Sequence, residues 1–337
     1  MIRLKLKIGD NILDKLALFV ENAQVIKKEF GFQNSLTKRL AALSCAQEGK
    51  LIDCEAIKAC QDMIKHNTGI FSTFRGDMGL CIATLLSLSK NPQEIFRDTL
   101  TVYDLFKSEG FHASDFLIVA AFQVAAQSQK SDYERVIQRA RTFYDSMKAK
   151  HFFYTGADDY IFVTMLAITD LDVTASTMRI EKIYDFLKNE FWTKNSVQTL
   201  AQLLVLGKSD DAGVDRVLVL RDAFRSEKIK MDKAYTLPIL GILALLPVDT
   251  NSLIREIDSV QTFLRNQKGF GTFSVTQQEL LMFATSMVVS DFADKIKDDM
   301  VRAALSTSIT SIMIAQQTAM IAMLAATTAA VSSSVSS

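Results

Sequence analysis

Three polar clusters hold most of what could do chemistry in this chain. They are Arg75-Gly76-Asp77, Ser114-Asp115 and Thr155-Gly156-Ala157-Asp158-Asp159-Tyr160. Neighbouring carboxylates can hold a divalent cation or work as acid and base. Two of the three histidines, His112 and His151, stand just before the second and third clusters, and His66 sits about a unit earlier. A binding site built from Arg75, Asp77, His112, His151, Asp158 and Asp159 is one expectation. Helix capping is the other, because the free amides and dipole of a helix N-terminus favour aspartate.

Other chemistry is excluded by what the chain lacks. There is no P-loop, dinucleotide-type glycine fingerprint, H-E-x-x-H or zinc-type cysteine pair, and three histidines are too few for a histidine cage. No cofactor and no metal are therefore expected, and no catalytic set can be assigned. Gly269-Phe270-Gly271 reads as a turn around a buried ring. Cys45, Cys54, Cys60 and Cys81 lack C-x-x-C spacing and read as the reduced thiols of a cytoplasmic protein. Lys plus Arg equals Asp plus Glu at 38 each, and the cations are spread along the chain. No nucleic-acid partner is expected, since that needs a concentrated basic face.

The elements that position these residues recur about every 40 residues. Phe32, Phe71, Phe111, Phe152, Trp192, Met231 and Phe270 open successive units, 39, 40, 41, 40, 39 and 39 residues apart. Fixed self-similarity at this period marks stacked supersecondary units. Each unit has a helix A that is apolar on nearly every face, such as Leu80–Leu86, Ile161–Leu166, Leu200–Leu206 and Ile239–Leu246. An amphipathic helix B follows, marked Tyr103-Asp104, Tyr144-Asp145, Tyr184-Asp185 and, more faintly, Arg221-Asp222. The tyrosines are expected to pack on a neighbouring unit and the aspartates to stay wet, as recurrent positions mostly build the unit interface. Asn91-Pro92-Gln93-Glu94, Ser131-Asp132-Tyr133-Glu134 and Ser274-Val275-Thr276-Gln277 read as helix starts with capping-box chemistry. Only three prolines interrupt 337 residues.

The fold class is therefore all-α, with tandem helix pairs forming an α/α solenoid or toroid; the period does not say which. Residues 1–30 read as a basic tail (Arg3, Lys5, Lys7) and a capping helix from Asn11 to Phe30. Residues 31–297 form the repeat body of about six and a half units. Residues 298–337 form an Ala/Ser/Thr-rich helix and frayed end. Ala303 to Val331 is uncharged for 29 residues, long enough to span a bilayer. Ten of these are Ser, Thr or Gln, and no anchor follows them. Docking on the body or self-association is expected, with membrane contact left open through this segment alone.

Several stretches resemble an uncharacterised domain-of-unknown-function family of Gram-positive bacterial proteins, number four thousand and three in that series. They are Phe19-Val20-Glu21-Asn22, Gly69 to Gly76, His151 to Asp172, Leu237 to Leu246, Gln267 to Ala284 and Ile314-Ala315-Gln316-Gln317. The resemblance implies a cytoplasmic bacterial protein and supplies no reaction; the basic extension before Asn11 departs from it. A weaker, shape-level similarity links Lys268-Gly269-Phe270-Gly271 and Asp158-Asp159 to the α/α toroids of prenyltransferases and terpene cyclases. The zinc set and acid motif of those enzymes are missing. The expectation is a non-enzymatic interaction scaffold. The alternatives are a toroidal enzyme or small-molecule binder with the rim site above, or a membrane-associated protein anchored by residues 303–331.

Overall fold

An element that is apolar on every face needs neighbours on every side; an amphipathic one needs them on one side only. The computed structural model, which describes residues 10–294, meets both needs with a ring of alternating helices. The described residues hold fourteen α-helices and no strand. The outer, amphipathic members are α1 (Asp10–Glu29), α3 (Cys54–Asn67), α5 (Pro92–Ser108), α7 (Tyr133–Lys150), α9 (Val173–Leu187), α11 (Asp211–Ser226) and α13 (Thr250–Arg265). The inner members are α2 (Ser35–Gln47), α4 (Gly79–Leu88), α6 (Asp115–Gln127), α8 (Tyr160–Ile168), α10 (Lys194–Leu206), α12 (Leu237–Leu245) and α14 (Gln277–Asp294). Every residue of α8 from Tyr160 to Ala167 is buried, as its uniformly apolar sequence requires. The basic tail at Arg3, Lys5 and Lys7 and the segment 303–331 lie outside the described residues.

Each outer helix packs most extensively on the inner helix that follows it. The unit in space is thus an outer–inner hairpin, and the described residues hold seven. Helix α1, expected as a terminal cap, is the outer member of the first hairpin and also packs on α14, as does α2. The described chain closes on itself, so the toroid is the form adopted. At this seam Phe19 of α1 is wholly buried, edge-on to Phe270 at 5.2 Å and to Phe283 of α14 at 5.3 Å. Lys15 Nζ donates to Ser290 Oγ at 3.1 Å, and Gln24 Nε2 to the Lys268 carbonyl at 2.9 Å. Arg39 of α2 donates to the Ser274 carbonyl at 2.6 Å and meets Glu279 Oε1 at 3.4 Å. Burying each of the three rings stabilises the seam by roughly 1.5–3 kcal/mol, with about 0.5–1.5 kcal/mol more for each ring pair.

The helix starts follow local chemistry, with two shifts from expectation. Asn91 caps α5, accepting from Glu94 N–H, with Pro92 at the first helical position. Thr276, rather than Ser274, makes the reciprocal capping box of α14: Thr276 Oγ1 accepts from Glu279 N–H at 3.2 Å and Glu279 Oε2 accepts from Thr276 N–H at 2.8 Å. At α7 the expected box is absent, because residues Lys130–Asp132 form a 3-10 turn and the Asp132 carboxylate accepts from Arg135 instead. The B-helix tyrosines are buried and Asp104, Asp145, Asp185 and Asp222 are exposed. The tyrosine partners lie mostly within the unit's own opening loop: Phe74 for Tyr103 at 5.1 Å, Phe111 for Tyr144 at 5.7 Å and His151 for Tyr184 at 4.3 Å. Tyr144 also reaches Tyr160 of α8, which falls in the following 40-residue sequence unit but in the same hairpin, at 5.4 Å.

Candidate functional site

The loops that lead into the inner helices form one rim of the ring, and all six expected site residues stand on it. Their local roles differ. Arg75 lies in a 3-10 turn (Thr73–Arg75) before α4 and reaches back to α3. Its guanidinium donates to Thr68 Oγ1 at 3.2 Å and to the carbonyls of Lys65 and Thr68. Orphan carbonyls at a helix C-terminus ordinarily attract such a cation. Exposed Asp77 stands near Asp115 in the first turn of α6, where Ser114 Oγ accepts from Leu117 N–H at 3.2 Å. Burial, and then the Asp77 charge, push the Asp115 carboxyl up to about 6.

His112 presents an exposed imidazole, while its backbone N–H donates to Tyr160 Oη at 3.3 Å. His151 ends α7, with Nε2 2.9 Å from Glu181 Oε1 of α9. Asp158 and Asp159 belong to the 3-10 turn Ala157–Asp159 that leads into α8. Asp158 Oδ2 accepts from Asn195 Nδ2 at 2.7 Å. Asp159 is 1% exposed. Its Oδ2 accepts from Gly156 N–H at 2.9 Å, and its Oδ1 accepts from Gln198 at 3.0 Å and Gln202 at 2.8 Å. Burial, with Asp158 adding, pushes the Asp159 carboxyl up to about 7; its hydrogen bonds pull the other way.

The structure thus joins Asp77 to the neighbourhood of Asp115, and Asp158 and Asp159 to α10. Among the described residues no hydrogen bond or ion pair links any two of the six, and no group of three or more His, Cys, Asp or Glu side chains could hold a metal ion. Asp159 can keep a proton near neutrality, but its burial keeps that proton from solvent. Asn195, Gln198 and Gln202 were not among the expected residues. Their 3 and 4 spacing on one face of α10 carries the signal, and Gln198 lies 39 residues after Asp159, one repeat along. The oxygens Gln198 Oε1, Gln202 Oε1 and Asn195 Oδ1 are buried without a partner.

The same rim carries the exposed aromatic surface. Of the twelve exposed large hydrophobics among the described residues, eight lie in these loops. Phe32 and Phe71, expected as equivalents of the buried Phe111 and Phe270, are turned outward, as are Phe152 and Phe153, Trp192 (94% exposed) and Phe273. Among the described residues only Leu51 represents the opposite rim, in the loop after α2, and the rest lie on outer helices.

Among the described residues no helix is long and apolar enough to cross a membrane. A family described as "Protein of unknown function (DUF4003)" matches residues 22–318. "Uncharacterized protein YeaA" of Bacillus subtilis (strain 168) is 23% identical over 325 residues, covering 94% of this chain and 89% of its own length. No solved structure matches the chain.

Proposed function

The chain belongs to this family of unknown function, and with no activity carried by that membership we propose that it is a non-enzymatic, ring-shaped interaction protein of the cytoplasm. Its docking face is the rim before the inner helices, and its partner is a protein surface. The observation that carries this reading is the concentration on that one rim of Phe32, Phe71, Phe152, Phe153 and Phe273 with Ile70, Tyr154 and Trp192, all exposed, against a single exposed ring elsewhere among the described residues, Phe186 of α9. A concentrated apolar surface of this kind marks interaction sites, and aromatic anchors dominate binding energy at protein interfaces. Four free cysteines, three of them buried, suit a reducing compartment.

Photo-crosslinking in the native cell tests the proposal, with a photoreactive phenylalanine at Trp192 and, as control, at the exposed Met178 of α9. One recurrent polypeptide adduct at position 192 alone, lost on replacing Phe152 and Phe153 by serine, is the expected result. Equal adducts at both positions, or none at the rim, would overturn it. A second reading, a small-molecule site at Asp77 and Asp115, is favoured by the raised Asp115 carboxyl, which suits a general acid near pH 6. Under that reading Arg75, His112, His151, Asp158 and Asp159 shape the same rim.

A further inference from the structure

The cations that are scattered in sequence are gathered at the ring-closing seam. A cleft of about 560 Å³ opens there, between the last turn of α1, the first turn of α2 and the loop before α14. Lys27, Lys28, Lys38, Arg39 and Lys268 line it, with Phe273 beside them. These five positive groups come from three segments up to 241 residues apart (268 minus 27). The one anion engaged with them is Glu279, already held by Arg39. Among the described residues Lys27, Lys28 and Lys268 make no ion pair and are exposed.

The walls are built rather than incidental. Lys38 is buried, and its ammonium donates to the Phe30 carbonyl at 3.2 Å and the Gly31 carbonyl at 3.4 Å, where α1 ends. Burial, then the neighbouring charges of Lys27 and Arg39, push its pKa down, the mark of cations crowded together. The loop is pinned on both sides by Gln24 to the Lys268 carbonyl and Arg39 to the Ser274 carbonyl. Gly269 turns with φ of +89° between Lys268 and the buried Phe270, a conformation a side chain would strain.

Among the described residues Glu279 on Arg39 is the one ion-pair partner of this cluster, so the concentration of like charge is left in excess. The volume lies in the roughly 300–1,000 Å³ range of small-ligand sites. Lysine ammonium groups act as point charges on phosphate, and arginine adds a planar fork. We propose that the seam cleft binds a phosphate-bearing ligand, with at least two negative charges held by Lys27, Lys28, Lys268 and Arg39 and an apolar part resting on the Phe273 ring. The phosphate belongs either to a free metabolite-sized molecule or to a lipid headgroup. This rests on the cleft alone and stands or falls separately from the protein-docking rim.

Calorimetric titration of the full chain with inorganic pyrophosphate, and co-sedimentation with vesicles of neutral lipid with and without anionic phospholipid, form the test. Lys27→Ala/Lys268→Ala removes two exposed charges and leaves the buried walls intact; Lys208→Ala on the opposite rim is the control. The expected result is saturable pyrophosphate binding at fixed ionic strength, weakened at least tenfold in the double variant and unchanged in the control. Binding confined to anionic vesicles, with the same variant dependence, assigns the phosphate to a lipid headgroup. Absence of binding to both probes, or equal weakening by the control, would overturn the proposal.

Discussion

Asp159 holds a proton that the unfolded chain gives up at ordinary acidity. Its folded pKa of about 7 lies above the unfolded value of about 3.9. Between those two values the folded state binds more protons, so stability rises as pH falls through that window and changes no further below about 4. Asp115, raised to about 6, acts in the same direction over a narrower range. Asp159→Asn removes this dependence. In thermal melts from pH 4 to pH 8 the variant's advantage over the wild type should be greatest at pH 8 and vanish towards pH 4; a constant difference would contradict the assignment. Asp159→Ala removes the same dependence but should lie about 1–3 kcal/mol below Asp159→Asn at every pH, because Gln198 and Gln202 also lose their acceptor. The turn at Gly156–Asp159 was legible in sequence as capping chemistry. The glutamines were not, because they belong to the next repeat and only stacking brings them to the carboxylate.

At the scale of the element, four helix ends share one closing motif built on different residues. After α2 and α5 the chain turns at Gly49 (φ +65°) and Gly110 (φ +82°); after α10 and α11 the same place is held by Lys208 (φ +52°) and Lys228 (φ +60°). In each case a six-to-one hydrogen bond closes the helix, as in Phe111 N–H to the Phe106 carbonyl and Ile229 N–H to the Phe224 carbonyl. A lysine there carries a strain of roughly 1 kcal/mol that glycine avoids. Lys228→Gly should therefore raise the denaturation midpoint in urea by an amount equivalent to up to about 1 kcal/mol, with the slope unchanged. The helix pairs themselves could be read directly, since an all-round apolar run and an amphipathic one alternate through the chain. The 40-residue markers were legible as a period but not as an environment. Phe111, Met231 and Phe270 are buried while Phe71, Phe152 and Trp192 face outward from corresponding loops, and in two of those loops a neighbouring ring, Phe74 or Phe191, is the buried one instead.

At the scale of the whole molecule, closure changes how the repeats share stability. An open array frays from its ends, since each terminal repeat has one neighbour. Here α1 and α14 have neighbours on both sides. Their amides should exchange with solvent no faster than those of α7, measured by native-state hydrogen exchange; much weaker protection of α1 would argue for a ring that opens. Phe19→Ala, at the centre of the seam, should cost about 3–5 kcal/mol and lower the protection of α1 and α14 together. Closure could not be read from the sequence, because the turn accumulated per hairpin is set by side-chain packing between units and leaves no mark on their spacing. That seam also sets an order of events during synthesis. Of the described helices α1 is translated first and α14 last, so Phe19 must wait for Phe270 and Phe283 while some 250 residues are translated, a delay on the order of tens of seconds at roughly 5–20 residues per second. A nascent chain of this protein is therefore a ring with one side missing and a greasy edge on show, and that edge is covered only when translation has delivered α14.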